Sequence, residues 1–173
     1  MNFPIISSLI ILPIVGTIFL FFIKSNEKNT SIKYVALFIS LSNLILSLYL
    51  WYIFDNTNPS FQFVENRQWI LGLINYKVGI DGISILFVIL TTFIVPLCVL
   101  SVNYTIKYRL KDFLIAILIM ESLMIGVFCS LDLVVFYLFF EGGLIPMFLI
   151  IGIWGGSRRV YSAFKFFFYN LLG

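Results

Sequence analysis

Residues 132–154 read DLVVFYLFFEGGLIPMFLIIGIW. From Leu133 to Trp154 this stretch carries a single charged side chain, Glu141. As a helix it rises about 1.5 Å per residue and spans about 33 Å. That is enough to cross the roughly 30 Å hydrocarbon core of a bilayer. A run this long and this apolar is a transmembrane helix, and a carboxyl group near its middle needs a reason to be there.

The rest of the chain repeats the pattern. Apolar runs cover residues 3–23, 34–54, 82–102 and 113–131, each long enough to span. A sixth helix begins near Val160 in VYSAFKFFFYNLLG but is expected to be partial, because only about 14 residues remain up to Gly173. Composition agrees. The 173 residues are 61% hydrophobic and 11% charged, whereas soluble domains carry about 25% charged residues. The expected fold class is an all-α polytopic membrane protein with five complete transmembrane helices and the start of a sixth, in one membrane domain covering 1–173. The first run has no basic segment before it and is too long for the apolar core of a signal peptide, so it is read as a mature helix.

Basic residues sort the loops. Lys24, Lys28 and Lys33 lie between the first two helices, Lys107, Arg109 and Lys111 between the third and fourth, and Arg158 and Arg159 after the fifth. These three loops belong on the cytoplasmic or matrix side. The N-terminus, the loop 55–81 and the tight connection at Ser130–Asp132 then face the other side. Within the outer loop, Phe61, Phe63 and Glu65 alternate with Gln62, Val64 and Asn66 ahead of Trp69, between Pro59 and Gly72. That alternation predicts a small hairpin between helices 2 and 3. It either caps the outer face or supplies interfacial aromatic anchors.

Glu121 and Glu141 are the ionisable residues placed inside the hydrocarbon. Counted along their helices, they lie about 12 Å and about 18 Å from the inner boundary. Low dielectric favours the neutral form of a lone carboxyl, and a nearby lysine or arginine favours the charged form. A carboxyl moved between such settings takes up and releases a proton. Glu141 is followed by Gly142, Gly143 and Pro146. Pro146 has no N–H for the carbonyl of Gly142, so the helix is locally loosened there. The alternative is a neutral, hydrogen-bonded carboxyl that only joins helices. Asp81, in GIDGIS, and Asp132 fall at the outer starts of the third and fifth helices, where a carboxylate caps the helix and complements its dipole. Pro96 predicts a kink in the third helix.

The chain has no histidine, and its two cysteines, Cys98 and Cys129, lie in separate apolar runs. No metal, haem or disulfide framework is expected. With 27 Ile, 20 Phe and only three Ala, the skew is that of an AT-rich coding sequence, which points weakly to an organelle genome or an AT-rich bacterium.

The segments FQFVE, INYKVGIDGIS and LTTFIVP between Phe61 and Pro96, then MESLMIGVF with Glu121, and then DLVVFYLFFEGGLIPMFLIIGIWGG with Arg158 and Arg159, resemble chain 4 of the proton-pumping NADH:quinone oxidoreductase, respiratory complex I, called subunit M in bacteria. The resemblance implies an antiporter-like subunit of about fourteen helices in two inverted five-helix repeats. It implies that Glu141 is the fifth-helix glutamate that pairs with a lysine on a broken seventh helix. It also implies a mid-membrane path of lysines and glutamates driven by electron transfer elsewhere in the complex. FMN, the iron-sulfur clusters and the quinone are then held by other subunits, and this chain holds no cofactor.

Members of that family are nearly three times this length, so the lysines expected on later helices are absent. Either a second polypeptide carries the rest of chain 4, which is the preferred expectation, or the sequence is truncated. The other partners implied are the neighbouring antiporter-like subunits and the lipid bilayer, with no nucleic acid. The location implied is the mitochondrial inner membrane with the N-terminus on the intermembrane-space side, or alternatively a bacterial inner membrane with a periplasmic N-terminus. Two other readings stand beside the pumping role: a non-pumping structural or assembly fragment, and a subunit of a related multisubunit cation/proton antiporter or membrane-bound hydrogenase.

Overall fold

A computed structural model describes residues 4–23, 30–70, 74–106 and 108–172. Its elements in chain order are α1 (Ile5–Phe22), α2 (Thr30–Ile53), β1 (Gln62–Ile70), β2 (Ile74–Ile80), α3 (Ser84–Thr105), α4 (Leu110–Cys129), α5 (Leu133–Trp154) and α6 (Arg159–Leu172). Among the described residues, α1 to α5 are long and apolar enough to cross a membrane. The chain is a multi-pass membrane protein. Lys24, Lys28, Lys107 and Gly72, used in reading the loops, lie outside the described residues.

Two helices start earlier than the apolar runs suggest, and for one reason. α2 includes Lys33 and α4 includes Lys111, because a lysine near a helix end extends its charged tip to an interface or to a free carbonyl. Lys33 Nζ donates to Leu100 O at 3.2 Å. Lys111 Nζ donates to Phe21 O at 2.8 Å and Ile23 O at 2.7 Å, satisfying carbonyls at the end of α1. Nearby, Trp154 Nε1 donates to Tyr108 O at 2.8 Å. Lys33, Arg109, Lys111 and Arg159 therefore share one end of the bundle, opposite the hairpin.

The helix α4 is the hub, packed against α1, α2, α3 and α5, while α6 packs on α5. Close approach depends on glycine at two contacts. A Cβ on Gly126 would lie 2.6 Å from the ring of Phe139, and one on Gly16 would lie 2.7 Å from Ile39. Small residues of this kind let membrane helices pack backbone to side chain.

The core divides into two apolar clusters. One, at the hairpin end, contains Ile6, Leu9, Leu50, Val88, Ile125 and Cys129 together with Val78 and Ile80 of β2. The other, at the basic end, contains Leu20, Ile32, Ala36, Val99, Leu114 and Leu118. Between them in sequence, the facing helices contribute buried polar residues: Ser40, Asn43 and Ser47 from α2, Thr92 from α3, and Glu121 and Ser122 from α4. A polar belt thus crosses an otherwise apolar bundle.

The hairpin is antiparallel, pairing Glu65 with Val78 and Gln68 with Asn75, with register irregularities between Gln62 and Glu65 and between Gln68 and Ile70. Phe63 adopts a φ of 53°, a conformation uncommon for an aromatic residue, so simple alternation fails at this point. Phe63 packs against the hairpin-end cluster and Phe61 stays exposed. The hairpin is tied to the bundle: Leu131 N donates to Lys77 O at 3.0 Å, and Val78 bridges to Ser130. Glu65 Oε1 accepts from the backbone of Ile6 at 3.0 Å and Ser7 at 3.3 Å, and Oε2 accepts from the Ser7 hydroxyl.

Candidate mid-membrane carboxylates

Glu121 sits within the polar belt, 1% exposed. The Asn43 side chain donates from Nδ2 to Glu121 Oε1 at 2.8 Å, linking α2 to α4. Among the described residues, Glu121 Oε2 and Asn43 Oδ1 are both buried without a hydrogen-bond partner. The neighbouring hydroxyls are otherwise engaged. Ser47 Oγ and Thr92 Oγ1 lie 2.7 Å apart, Ser47 reaches Leu44 O at 2.8 Å, Thr92 reaches Ile89 O at 3.0 Å, and Ser122 Oγ donates to Ile10 O at 2.5 Å.

Glu141 has a different setting. It is half-buried on α5, and its Oε1 accepts from the hydroxyl of Tyr137 one turn earlier. Within this chain Glu121 is therefore enclosed and Glu141 is only half-buried. The cause lies in packing, since among the described residues α5 packs chiefly on α4 and α6. Phe136, Tyr137, Leu138, Phe140, Ile145 and Leu149 remain exposed. The two glycines after Glu141 diverge. A Cβ on Gly142 would meet Leu123 of α4 at 3.2 Å, whereas one on Gly143 would meet open space. Pro146 is buried, and α5 continues through it to Trp154.

The two aspartates act at helix starts. Asp132 Oδ1 accepts from Val134 N at 2.9 Å and Val135 N at 3.3 Å. Asp81 Oδ1 accepts from Ser84 N at 2.7 Å, and hydrogen bonding with Ser84 holds its carboxyl below the usual aspartate value. Arg158 and Arg159 are exposed at the α5–α6 connection, where Arg159 Nη1 donates to Ile153 O at 2.9 Å at the end of α5. Glu121 and Glu141 lie on packed neighbours but use separate partners, Asn43 and Tyr137.

Sequence reading missed three residues. Asn43 stands with Ser40 and Ser47 at helical spacing in an apolar run, a polar stripe that was visible in the sequence. Lys165 lies inside α6 between Tyr161 and Tyr169, its Nζ 5.9 Å and 5.8 Å from their ring centres; the i−4 and i+4 tyrosines are the signal. Glu65 was read only as part of a strand.

Cys98 is exposed on α3 and Cys129 is buried on α4, and the described residues contain no group of three His, Cys, Asp or Glu side chains placed to hold a metal ion.

Comparison with known proteins agrees with this architecture. Residues 130–173 match the family described as NADH:quinone oxidoreductase/Mrp antiporter, TM. NADH-quinone oxidoreductase subunit M of Rhodobacter capsulatus is 60% identical over 82% of this chain and 27% of its own length. NADH-ubiquinone oxidoreductase chain 4 of Marchantia polymorpha is 46% identical over 97% of this chain and 34% of its own length. Chain 4 of Arabidopsis thaliana is 48% identical over the same shares. The chain spans about a third of the length of the curated relatives it matches. With the multi-pass helical fold and the outer hairpin in place, these likenesses make the chain a homologue of NADH-quinone oxidoreductase subunit M, or chain 4, corresponding to roughly the N-terminal third of those proteins.

Proposed function

We propose that this chain is part of the antiporter-like, proton-translocating membrane arm of NADH:quinone oxidoreductase, and that Glu141 is a proton-transferring carboxylate. The observation that carries this reading is the setting of Glu141. It lies in the middle third of a spanning helix, is half-buried, and among the described residues is hydrogen-bonded to Tyr137 on its own helix. Next to it, Gly143 opens onto free space. A carboxyl at mid-membrane with an open side is costly unless a partner group or water meets it there.

In this mechanism Glu141 Oε1 and Oε2 take up and release the proton, and Tyr137 holds the side chain in one rotamer. Glu121 is a second protonatable group one helix away, read as a possible relay. Arg158 and Arg159 stand at the inner mouth. The driving reaction, electron transfer from NADH to quinone through FMN and iron-sulfur clusters, belongs to other subunits of the complex. The partners are those subunits, including the neighbouring antiporter-like ones, and the lipid of an energy-coupling inner membrane. Among the relatives, the plant proteins favour a mitochondrial setting and the Rhodobacter protein a bacterial one.

Replacing Glu141 by Gln preserves size and hydrogen bonding and removes the titratable charge. Assembled complexes carrying Glu141→Gln are expected to oxidise NADH with proton pumping much reduced. Unchanged pumping would end the assignment. A second reading, a subunit of a cation/proton antiporter, has one observation in its favour: the matched family is described by both activities. Identification of the copurifying subunits separates the two.

A further inference from the structure

The atoms left without partners at Glu121 and Asn43 are informative because of which atoms they are. A carboxylic acid and a primary amide can pair reciprocally: the amide N–H donates to the acid carbonyl, and the acid O–H donates to the amide carbonyl. The first of these bonds is present, Asn43 Nδ2 to Glu121 Oε1 at 2.8 Å. The second would join Glu121 Oε2 to Asn43 Oδ1, and these are the two buried side-chain atoms without a partner among the described residues.

From this the geometry points to a proton-binding site: Glu121 carries a proton on Oε2, donated to Asn43 Oδ1, so that one proton is held in a closed acid–amide pair between α2 and α4. An ionised Glu121 would leave two acceptor oxygens buried with no hydrogen between them, and an unsatisfied buried polar group is destabilising, more so when charged. One proton satisfies both.

Among the described residues the neighbouring hydroxyls do not supply this donor. The hydroxyls of Ser40, Ser47, Thr92 and Ser122 bond to backbone carbonyls or to each other. Nor, among the described residues, does a cation pair with Glu121 to stabilise the charged form. The ion pair among the described residues is Arg109 with Asp112, at the basic end, and both described lysines of that region, Lys33 and Lys111, are bonded to backbone carbonyls of α3 and α1. The inference builds on the reading of Glu121 as protonatable, yet it is independent of what Glu141 does.

The test is infrared spectroscopy of the assembled complex at neutral pH, with the parent compared against Glu121→Gln and Asn43→Leu. The parent is expected to show a protonated-carboxyl carbonyl stretch that disappears in Glu121→Gln and moves to higher frequency in Asn43→Leu, where the reciprocal bonds are lost. Gln offers an N–H in place of the acid O–H, so this variant should assemble at the parental level. Absence of any protonated-carboxyl band dependent on Glu121, or a band unmoved by Asn43→Leu, would overturn the proposal. If Glu121→Gln does not assemble, the same decision comes from parental complex carrying carbon-13 glutamate, whose shifted band must respond to Asn43→Leu. Loss of pumping in Glu141→Gln alongside a missing Glu121 band would discard this site while leaving the transport reading intact.

Discussion

Glu65 of the hairpin closes the start of α1, its Oε1 accepting from the backbone N–H groups of Ile6 and Ser7 while its Oε2 accepts a hydrogen bond from the Ser7 hydroxyl. The first N–H groups of a helix have no partner within the helix, and α1 begins after Pro4 without a side-chain cap of its own. A residue about sixty positions away in sequence therefore supplies the cap and a negative charge at the positive end of the helix dipole.

Removing that carboxylate is expected to loosen both elements at once. Glu65→Ala should cost about 1–2 kcal/mol, as for loss of an N-cap. Hydrogen exchange should rise together at the amides of Ile6 and Ser7 and in β2 around Tyr76, which also lies 3.3 Å from the Ser7 hydroxyl. Faster exchange confined to α1 would mean that the hairpin does not depend on the contact.

Acid sensitivity should appear at Asp81. Its carboxyl is held below the ordinary value by Ser84, so the bond adds stability above the unfolded-state aspartate value, and that contribution fades as pH falls through the lower folded value. Asp81 is half-buried at the edge of the bundle and not enclosed, so solvent screening keeps the effect small. Exchange at the amides beginning α3, Ser84 to Leu86, corrected for intrinsic rate, should increase on acidification in the parent and show little pH dependence in Asp81→Asn.

The spanning helices were legible because lipid demands about twenty apolar residues in a row, and α5 in particular is nearly what its hydropathy suggests. The starts of α2 and α4 were less so, since Lys33 and Lys111 end an apolar run without ending a helix. The carboxylates were easy to find, but their surroundings were not. Which of Glu121 and Glu141 is enclosed depends on what packs against α4 and α5, and that is a tertiary fact. Asn43 escaped notice because an amide in an apolar run carries no charge to flag it. The reach of Glu65 back to α1 has no local signal.

Tyr137 should matter to Glu141 by orientation. Tyr137→Phe keeps the ring and removes the hydroxyl donor, leaving the carboxyl free to sample other rotamers. Proton pumping in the assembled complex is expected to fall, but by less than in Glu141→Gln, while assembly stays intact because Tyr137 is exposed and packs little. Equal losses in the two variants would mean that the hydroxyl is itself a member of the proton path, and no loss would remove Tyr137 from the mechanism.

Gly126 controls how closely α5, and with it Glu141, can lie on α4. The ring of Phe139 covers Gly126 so tightly that an added Cβ would sit 2.6 Å from one ring carbon and 2.7 Å from another. The half-buried ring packs on the hairpin-end cluster, so relief requires the ring or α5 itself to shift away. Overpacking of this kind costs about 1–3 kcal/mol, and the displaced helix carries Glu141 with it two residues further on. Gly126→Ala should therefore reduce both the yield of assembled complex and the pumping of what assembles. Gly126→Ala combined with Phe139→Leu, which removes the ring, should restore a good part of both. If the single variant behaved like the parent, the α4–α5 contact would have slack, and the placement of Glu141 would have to depend on contacts other than this one.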